Sequence, residues 1–368
     1  MNNSEQSAID NIKAARLLIR STNWIGDAVM TMPAVQRIRE FDPNAHITLA
    51  CHAKLHDLWR HNPFINDIID TATPLHRHAF DTAIIFPNSF RSAWECYRAG
   101  IKRRIGFTGH HRRWLLTDAV PEPTGEQPID RQVTVDGQTF TTKQFPVIRH
   151  QTRRYLDLVA QLGGNPTFVP PKMWLAHDDA PSLKKFLTEG ARPFIGINAG
   201  AEYGPAKRWL PERFAEVAKR VSDEVACRWL IFGGPGDTAI ASQIETNLRA
   251  ALGDDRRAIV NVAGKTTLLE LCELLKFCRL LLTNDTGPMH LADALGTPLV
   301  AVFGSTSAPL TGPTGKLSRV INVAVECNPC FLRECPIDFR CMKSITVEQV
   351  ADAVLKLWNE TAPTHGHV

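Results

Sequence analysis

From Phe194 onward the chain alternates short runs of continuous apolar residues with amphipathic segments, and few folds accept that pattern. The runs are Phe194-Ile-Gly-Ile-Asn198, Trp229-Leu-Ile-Phe232, Ile259-Val-Asn-Val262, Leu280-Leu-Leu-Thr283 and Leu299-Val-Ala-Val-Phe303. A strand wetted on one face alternates apolar with polar residues, whereas a strand apolar throughout must be covered on both faces. Between the runs lie helical patterns such as Thr267-Leu-Leu-Glu270, spaced as a capping box, with Leu268, Leu271, Cys272 and Leu275 recurring on one face. Together they predict an α/β architecture, a doubly wound parallel sheet with helices on both sides.

The first half repeats the theme, with strands predicted at Arg16-Leu-Leu-Ile-Arg20, His46-Ile-Thr-Leu-Ala50 and Thr82-Ala-Ile-Ile-Phe86. Val133-Thr-Val-Asp-Gly-Gln-Thr-Phe140 differs: Asp136-Gly137 between alternating residues reads as a two-residue hairpin, an excursion on the surface. A helix bearing Tyr155, Leu156, Val159 and Leu162 ends at Gly163-Gly164, and punctuated stretches follow from Pro166 to Pro171 and from Asp178 to Pro193. The 368 residues suit two domains at roughly 100–200 residues each. The boundary is expected near 178–192, giving a first domain over 1–178 and a second over 179–345. An amphipathic helix over 346–361, carrying Val347, Val350, Val354, Leu357 and Trp358, is expected to pack back across the domains.

With 44% apolar and 22% charged residues and no low-complexity tract, the composition excludes a disordered or fibrous chain. The first twenty residues carry Glu5, Asp10 and Lys13 without an apolar core, and no later stretch has the length of a membrane span. Neither a signal peptide nor a span is therefore expected, which points to the cytoplasm. There, nine cysteines read as reduced thiols, metal ligands or a redox feature rather than a secreted disulfide framework. A net charge of +4 diagnoses no partner.

In doubly wound sheets, ligands bind beyond the carboxyl ends of the strands, so chemistry is sought just after each strand. After the first comes Ser21-Thr-Asn-Trp-Ile-Gly-Asp27, in which Asp27 is either a helix cap or a general base at a cleft. After the first strand of the second half comes Asn198-Ala-Gly-Ala-Glu-Tyr-Gly-Pro-Ala-Lys-Arg-Trp209, where Gly200 permits close backbone approach and Lys207 can neutralise a phosphate. Gly233-Gly-Pro-Gly-Asp237 is also Gly-rich but lacks the spacing of a dinucleotide fingerprint. Thr283-Asn-Asp-Thr-Gly-Pro-Met-His290 places Asp285, Thr286 and Gly287 at a helix start, where N–H groups and the positive dipole end favour an anion; His290 follows on the first turn. The alternative reading makes Asp285 or Thr286 a cap and His290 a core histidine. Two phosphate-compatible loops and this helix start, all in one half, favour a nucleotide or sugar-nucleotide site.

Trp24-Ile-Gly-Asp27, Gly200-Ala-Glu-Tyr-Gly-Pro-Ala-Lys-Arg-Trp209 and Asn284-Asp-Thr-Gly-Pro-Met-His290, in that order, resemble the ADP-heptose:lipopolysaccharide heptosyltransferases of glycosyltransferase family 9. The second stretch, with Arg104-Ile-Gly-Phe and Arg113-Trp-Leu-Leu-Thr-Asp118, is most similar to the heptosyltransferase II branch. The resemblance spans roughly residues 16 to 358 and departs at the Asp136-Gly137 hairpin. It implies a GT-B fold of two Rossmann-like domains facing across a cleft, with acceptor on the first domain and ADP-L-glycero-D-manno-heptose on the second. The implied reaction is an inverting transfer onto the first heptose of the lipopolysaccharide inner core, with no cofactor required. It also implies Asp27 as general base, with Asn198, Gly200, Lys207, Asp285, Thr286, Gly287 and His290 as donor residues and Asp237 on the ribose hydroxyls.

Two clusters remain. Arg98, Lys102, Arg103, Arg104, Arg112 and Arg113, with His110 and His111, lie in one stretch without an acidic residue. Such a run is ordinarily a solvated face. Given the family, Arg98, Lys102, Arg103, Arg112 and Arg113 read as a docking surface for a phosphorylated lipid acceptor, with peripheral contact at the inner leaflet of the inner membrane. Cys327, Cys330, Cys335 and Cys341 could bind zinc or an iron–sulfur cluster, or form a disulfide, but their spacing is not that of a standard ribbon and free structural thiols are the other reading. His365 and His367 read as tail. Competing readings are a heptosyltransferase I-type transfer onto Kdo, a GT-B-like sugar-nucleotide epimerase, and a metal-stabilised nucleic-acid binder. The last is weakened by low net charge and by the distance in sequence between the basic stretch and the cysteines, so no nucleic-acid partner is expected. Oligomeric state is not legible.

Overall fold

A computed structural model describes residues 16–176, 181–187, 192–253 and 258–361. Of the predicted boundary stretch, residues 181–187 and 192 are described, with a short helix at Pro181–Phe186; the rest of it lies outside the described residues, as do Glu5, Asp10, Lys13, His365 and His367. The chain divides into two compact units. One comprises residues up to Gln127 together with Val147–Trp174; the other comprises Pro128–Pro146 and the chain from Leu175.

The first unit is built on β1 (Arg16–Arg20), β2 (His46–Cys51), β3 (Asp67–Asp70), β4 (Thr82–Ile85), β5 (Arg103–Phe107) and β6 (Asp118–Val120). All pair in parallel, in the order β3-β2-β1-β4-β5-β6. The chain leaves β1 in one direction and returns at β4 in the other, so the strand order reverses beside β1. Helix α1 (Ile25–Phe41) follows β1; α2 (Phe90–Arg98) and α3 (Gln151–Gln161) complete the larger helices of this unit. Leu17, Leu18, Ile19, Ile84 and Ile85 are buried, as continuous apolar runs require.

The second unit repeats the same topology. Strands β9 (Phe194–Asn198), β10 (Arg228–Phe232), β11 (Ile259–Asn261), β12 (Leu280–Asn284), β13 (Leu299–Phe303) and β14 (Ser318–Asn322) pair in parallel in the order β11-β10-β9-β12-β13-β14. Every residue of β9, β10, β12 and β13 is buried. Each fully buried aliphatic side chain there contributes about 1.5–3 kcal/mol over leaving it exposed. Helices α4 (Pro211–Glu224), α5 (Thr238–Leu252), α6 (Leu268–Phe277), α7 (Gly287–Leu295) and α8 (Val347–Glu360) cover the sheet. The capping box before α6 is formed in both directions between Thr267 and Glu270. Helix α8, capped by Thr346 and Gln349, packs mainly on α4, β12, β13 and β14. It is thus an integral layer of the second unit rather than a separate element.

The hairpin forms where the turn residues place it, from β7 (Ile129–Val135) and β8 (Gln138–Gln144), with φ of 48° at Asp136 and 79° at Gly137. Two successive positive φ values are what a two-residue hairpin turn demands. Although it falls within the first half of the sequence, it belongs to the second unit. Val133 and Val135 are buried with Cys327, the Lys143 N–H donates to the Cys330 carbonyl at 3.2 Å, and Asp136 forms an ion pair with Arg340. An apolar stripe from one face is sequestered, so the hairpin is docked rather than a free excursion.

Candidate functional site

In the first unit, Asp27 sits in the opening turn of α1, where the helix dipole favours a negative charge. It is not the N-cap residue: Trp24 holds that position and makes no side-chain cap bond. Instead, Asp27 Oδ1 accepts from the Gln151 side-chain amide at 2.9 Å, and the same amide donates to the Tyr155 hydroxyl at 3.1 Å. Tyr155 is buried, and burial, with the Asp27 charge nearby, pushes its hydroxyl well above the usual range. The phenol thus stays protonated beside the carboxylate. A half-buried carboxylate with one oxygen held by an amide is oriented, and that suits proton acceptance.

In the second unit, the predicted residues come together at the carboxyl ends of β9 and β12, the adjacent strands where the order reverses. Lys207 Nζ lies 2.6 Å from Asp285 Oδ2, and the Thr306 hydroxyl donates to the same oxygen at 2.6 Å. Asp285 is buried, so its charge is compensated by an ammonium and a hydroxyl; removing either partner would strand it. The Lys207 ammonium also stands 5.0 Å from the centre of the Tyr203 ring. Thr286 occupies the N-cap position of α7, as the alternative reading has it, but makes no side-chain cap bond. Its hydroxyl instead accepts from the buried Asn198 amide at 3.2 Å. Gly287 begins α7, and His290 is buried on its first turn. The Thr286 side chain therefore leaves the leading N–H groups of α7 uncapped, and Lys207 stands close by on Asp285, an arrangement suited to an anion.

Asp237 lies on the other side of the β9 loop. Its carboxylate accepts from Arg208 Nη2 at 3.1 Å and from the Gly234 N–H at 3.1 Å. A Cβ placed on Gly200 would come within 2.3 Å of the Asp237 carboxyl group, so only glycine fits where these loops meet.

The cysteine-rich segment has a structural role that sequence reasoning did not foresee. Ala206 N–H donates to the Arg333 carbonyl at 3.0 Å, Tyr203 Oη donates to the Phe331 carbonyl at 2.7 Å, and the Arg333 guanidinium stands 5.3 Å from the Tyr203 ring centre. The segment thus supports the loop that carries Lys207. Cys327, Cys330 and Cys341 are buried, Cys335 is half-buried, and all four thiols are free. Burial raises the first three, with neighbouring thiols adding to the effect, Cys341 to about 12. Among the described residues no group of three or more His, Cys, Asp or Glu is arranged to hold a metal ion.

The basic stretch is not one surface. Arg112 is fully buried: its guanidinium donates to the Phe107 carbonyl at 2.8 Å, the Ser89 carbonyl at 3.0 Å and the Ser92 hydroxyl at 3.2 Å, and also bonds the Pro87 carbonyl. Burial lowers its pKa to about 10. Its expected docking role is corrected to a scaffold role. Arg103 pairs with Asp118 across β5 and β6 at 3.0 Å, and Arg104 donates to the Leu115 carbonyl at 2.6 Å. Arg98, Lys102 and Arg113 are exposed.

Three contributors were missed. Thr306 follows β13, so the rule of searching beyond strand ends would have found it. Arg208, next to Lys207 in sequence, carries no signal of its pairing with Asp237. Gln151, 124 residues from Asp27 in sequence, gave no signal.

Two doubly wound parallel-sheet units, with polar residues collected beyond the central strands, define a GT-B glycosyltransferase architecture. Residues 69–339 match the family model of glycosyltransferase family 9 (heptosyltransferase), and the chain belongs to that family. It is 29% identical to lipopolysaccharide heptosyltransferase 2 of Escherichia coli over 84% of this chain and 88% of the relative. It is 30% identical to lipooligosaccharide heptosyltransferase 2 of Haemophilus ducreyi, again over 84% and 88%. The solved structure of E. coli ADP-heptose lps heptosyltransferase II aligns with a TM-score of 0.76 at 26% identity, over 94% of this chain and 99% of that one. The protein is therefore a glycosyltransferase, and the epimerase and nucleic-acid readings fall.

Proposed function

We propose that the protein transfers L-glycero-D-manno-heptose from its ADP derivative to the first heptose of a lipopolysaccharide inner core, as a heptosyltransferase II. The observation that carries this reading is the Lys207–Asp285–Thr306 network at the uncapped start of α7. When the glycosidic bond to the diphosphate breaks, charge develops on a phosphate oxygen. An oriented ammonium and backbone N–H groups stabilise that charge with little reorganisation. In one displacement, the acceptor hydroxyl oxygen bonds to the anomeric carbon, its proton passes to Asp27, and ADP leaves with the bonding electron pair, inverting the configuration. Gln151 holds the carboxylate for that transfer. Asp237 meets the ribose hydroxyls, Asn198 fixes the Thr286 hydroxyl, and Gly200 lets the nucleotide approach the backbone. His290 lies one turn into the same helix. The chemistry assigned to these residues needs no cofactor.

Among the described residues no helix is long and apolar enough to cross a membrane. A lipid-borne acceptor is met by peripheral contact at the cytoplasmic face of the inner membrane. Relatives at 29% and 30% identity carry the heptosyltransferase 2 name, whereas a lipopolysaccharide heptosyltransferase 1 is 21% identical, which supports acceptance by heptose rather than by Kdo. The test is incubation with ADP-heptose and either Kdo2-lipid A or its heptosylated form. Release of ADP with a mass gain of one heptose on the heptosylated acceptor alone is expected. A gain on Kdo2-lipid A instead would assign the first transfer, and no gain on either would overturn the reading.

A further inference from the structure

The first unit carries an outward-facing aromatic cluster that neither the fold nor the transfer reaction uses. Phe90, Trp94 and Tyr97, at helical spacing on α2, are 43%, 37% and 44% exposed, and Trp114, in the turn at Arg113–Leu115, is 61% exposed. The four rings touch one another. Trp94 lies 6.2 Å from Phe90 and 5.7 Å from Tyr97, both nearly parallel, and Trp114 lies 6.1, 6.3 and 5.9 Å from Phe90, Trp94 and Tyr97. The opposite side of the helix, Ala93 and Cys96, is buried in the core, so α2 is anchored by its small residues and shows its large ones to solvent.

The cluster is built, not incidental. Buried Arg112 bonds the carbonyl of Ser89, the α2 cap, and the hydroxyl of Ser92, which fixes the turn bearing Trp114 to the start of the helix bearing the other rings. The exposed residues Arg98, Lys102 and Arg113 adjoin it in sequence, with His110 and His111 also exposed. The one carboxylate on α2, Glu95, is taken by Arg20 at 3.2 Å and Arg91 at 2.9 Å. Arg104 lies 5.4 Å over the Tyr97 ring.

We propose that this face, Phe90, Trp94, Tyr97 and Trp114 with Arg98, Lys102 and Arg113, docks on the surface of an anionic phospholipid bilayer. Amphipathic rings of Trp and Tyr settle at the headgroup level, and nearby cations are drawn to acidic headgroups. A protein partner or a second copy would take the rings alone; the excess of uncompensated cations selects the bilayer. The proposal rests on the reading of a lipid-borne acceptor, and its test needs neither donor nor acceptor.

The test is cosedimentation with vesicles of phosphatidylcholine alone or of equal parts phosphatidylcholine and phosphatidylglycerol. The full chain should pellet with the mixed vesicles and not with the neutral ones, and binding should weaken as salt is raised. Trp94→Ser with Trp114→Ser should reduce partitioning at least about tenfold at an unchanged thermal midpoint, since both rings are exposed. Lys102→Glu should give a smaller loss that salt abolishes. Three results would overturn the proposal: no binding to the mixed vesicles, equal binding by the tryptophan double variant, or a concentration-dependent dimer in sedimentation velocity that this variant dissolves. Because the vesicles hold no acceptor, failure here leaves transfer measurable on detergent-dispersed acceptor, and failure of transfer leaves the vesicle result standing.

Discussion

The two units share one strand order but load its reversal point with opposite chemistry. Beyond β1 the first unit places a carboxylate, Asp27, and steadies it with the neutral Gln151 amide. Beyond β9 and β12 the second unit places a lysine and ties it to a buried carboxylate that also accepts from a threonine hydroxyl, next to a helix start that its N-cap side chain leaves uncapped. Topology fixes where a site lies, and the residues after the strand fix what it does.

If the two loads are separate, variants should divide cleanly between transfer and donor binding. The largest effect is expected from Asp27→Ala, a loss of about 10²–10⁴-fold in transfer with ADP affinity unchanged in calorimetry. Transfer near the wild-type rate would remove Asp27 from the reaction. Lys207→Ala should lower turnover by about 10²-fold and, unlike the Asp27 variant, weaken ADP binding as well; unchanged ADP affinity would end its phosphate role. Gly200→Ala should destabilise by about 1–3 kcal/mol, seen in denaturant titration, because the new methyl displaces an Asp237 carboxylate held by Arg208 and the Gly234 N–H. Gln151→Leu should be the mildest, about tenfold or less in kcat with KM for the donor unmoved. A larger loss than that of Asp27→Ala would make the amide more than a positioning residue.

The strands that could be read were those whose residues face apolar layers on both sides. Phe194–Asn198 and Leu299–Phe303 form over the runs that announced them. Strand β5 was missed because Arg103 and Arg104 read as part of a charge run; in the fold one pairs with Asp118 across the sheet and the other bonds the Leu115 carbonyl. Edge strands β3 and β14, with Asp67, Asp70 and Arg319, lack the continuous apolar signal because one side of each has no strand neighbour. The individual residues of the candidate site were legible because loops after strands are short and local. Their pairings were not, since Lys207 and Asp285 are 78 residues apart and Thr306 a further 21. Arg112 shows the converse error, a cation counted as surface that the fold buries against backbone carbonyls and the Ser92 hydroxyl.

The docked hairpin also has a consequence for biosynthesis. The chain enters the second unit at Pro128, leaves it after Pro146 and re-enters at Leu175, so no single cut separates the units with their contents intact. Asp136 leaves the ribosome 204 residues ahead of Arg340, its ion-pair partner. At synthesis rates of about 5–20 residues per second, the hairpin's buried stripe waits on the order of ten seconds or more for the segment that covers it. The alternating threonines and charges along its other face, including Thr134, Thr139 and Lys143, keep it soluble through that interval.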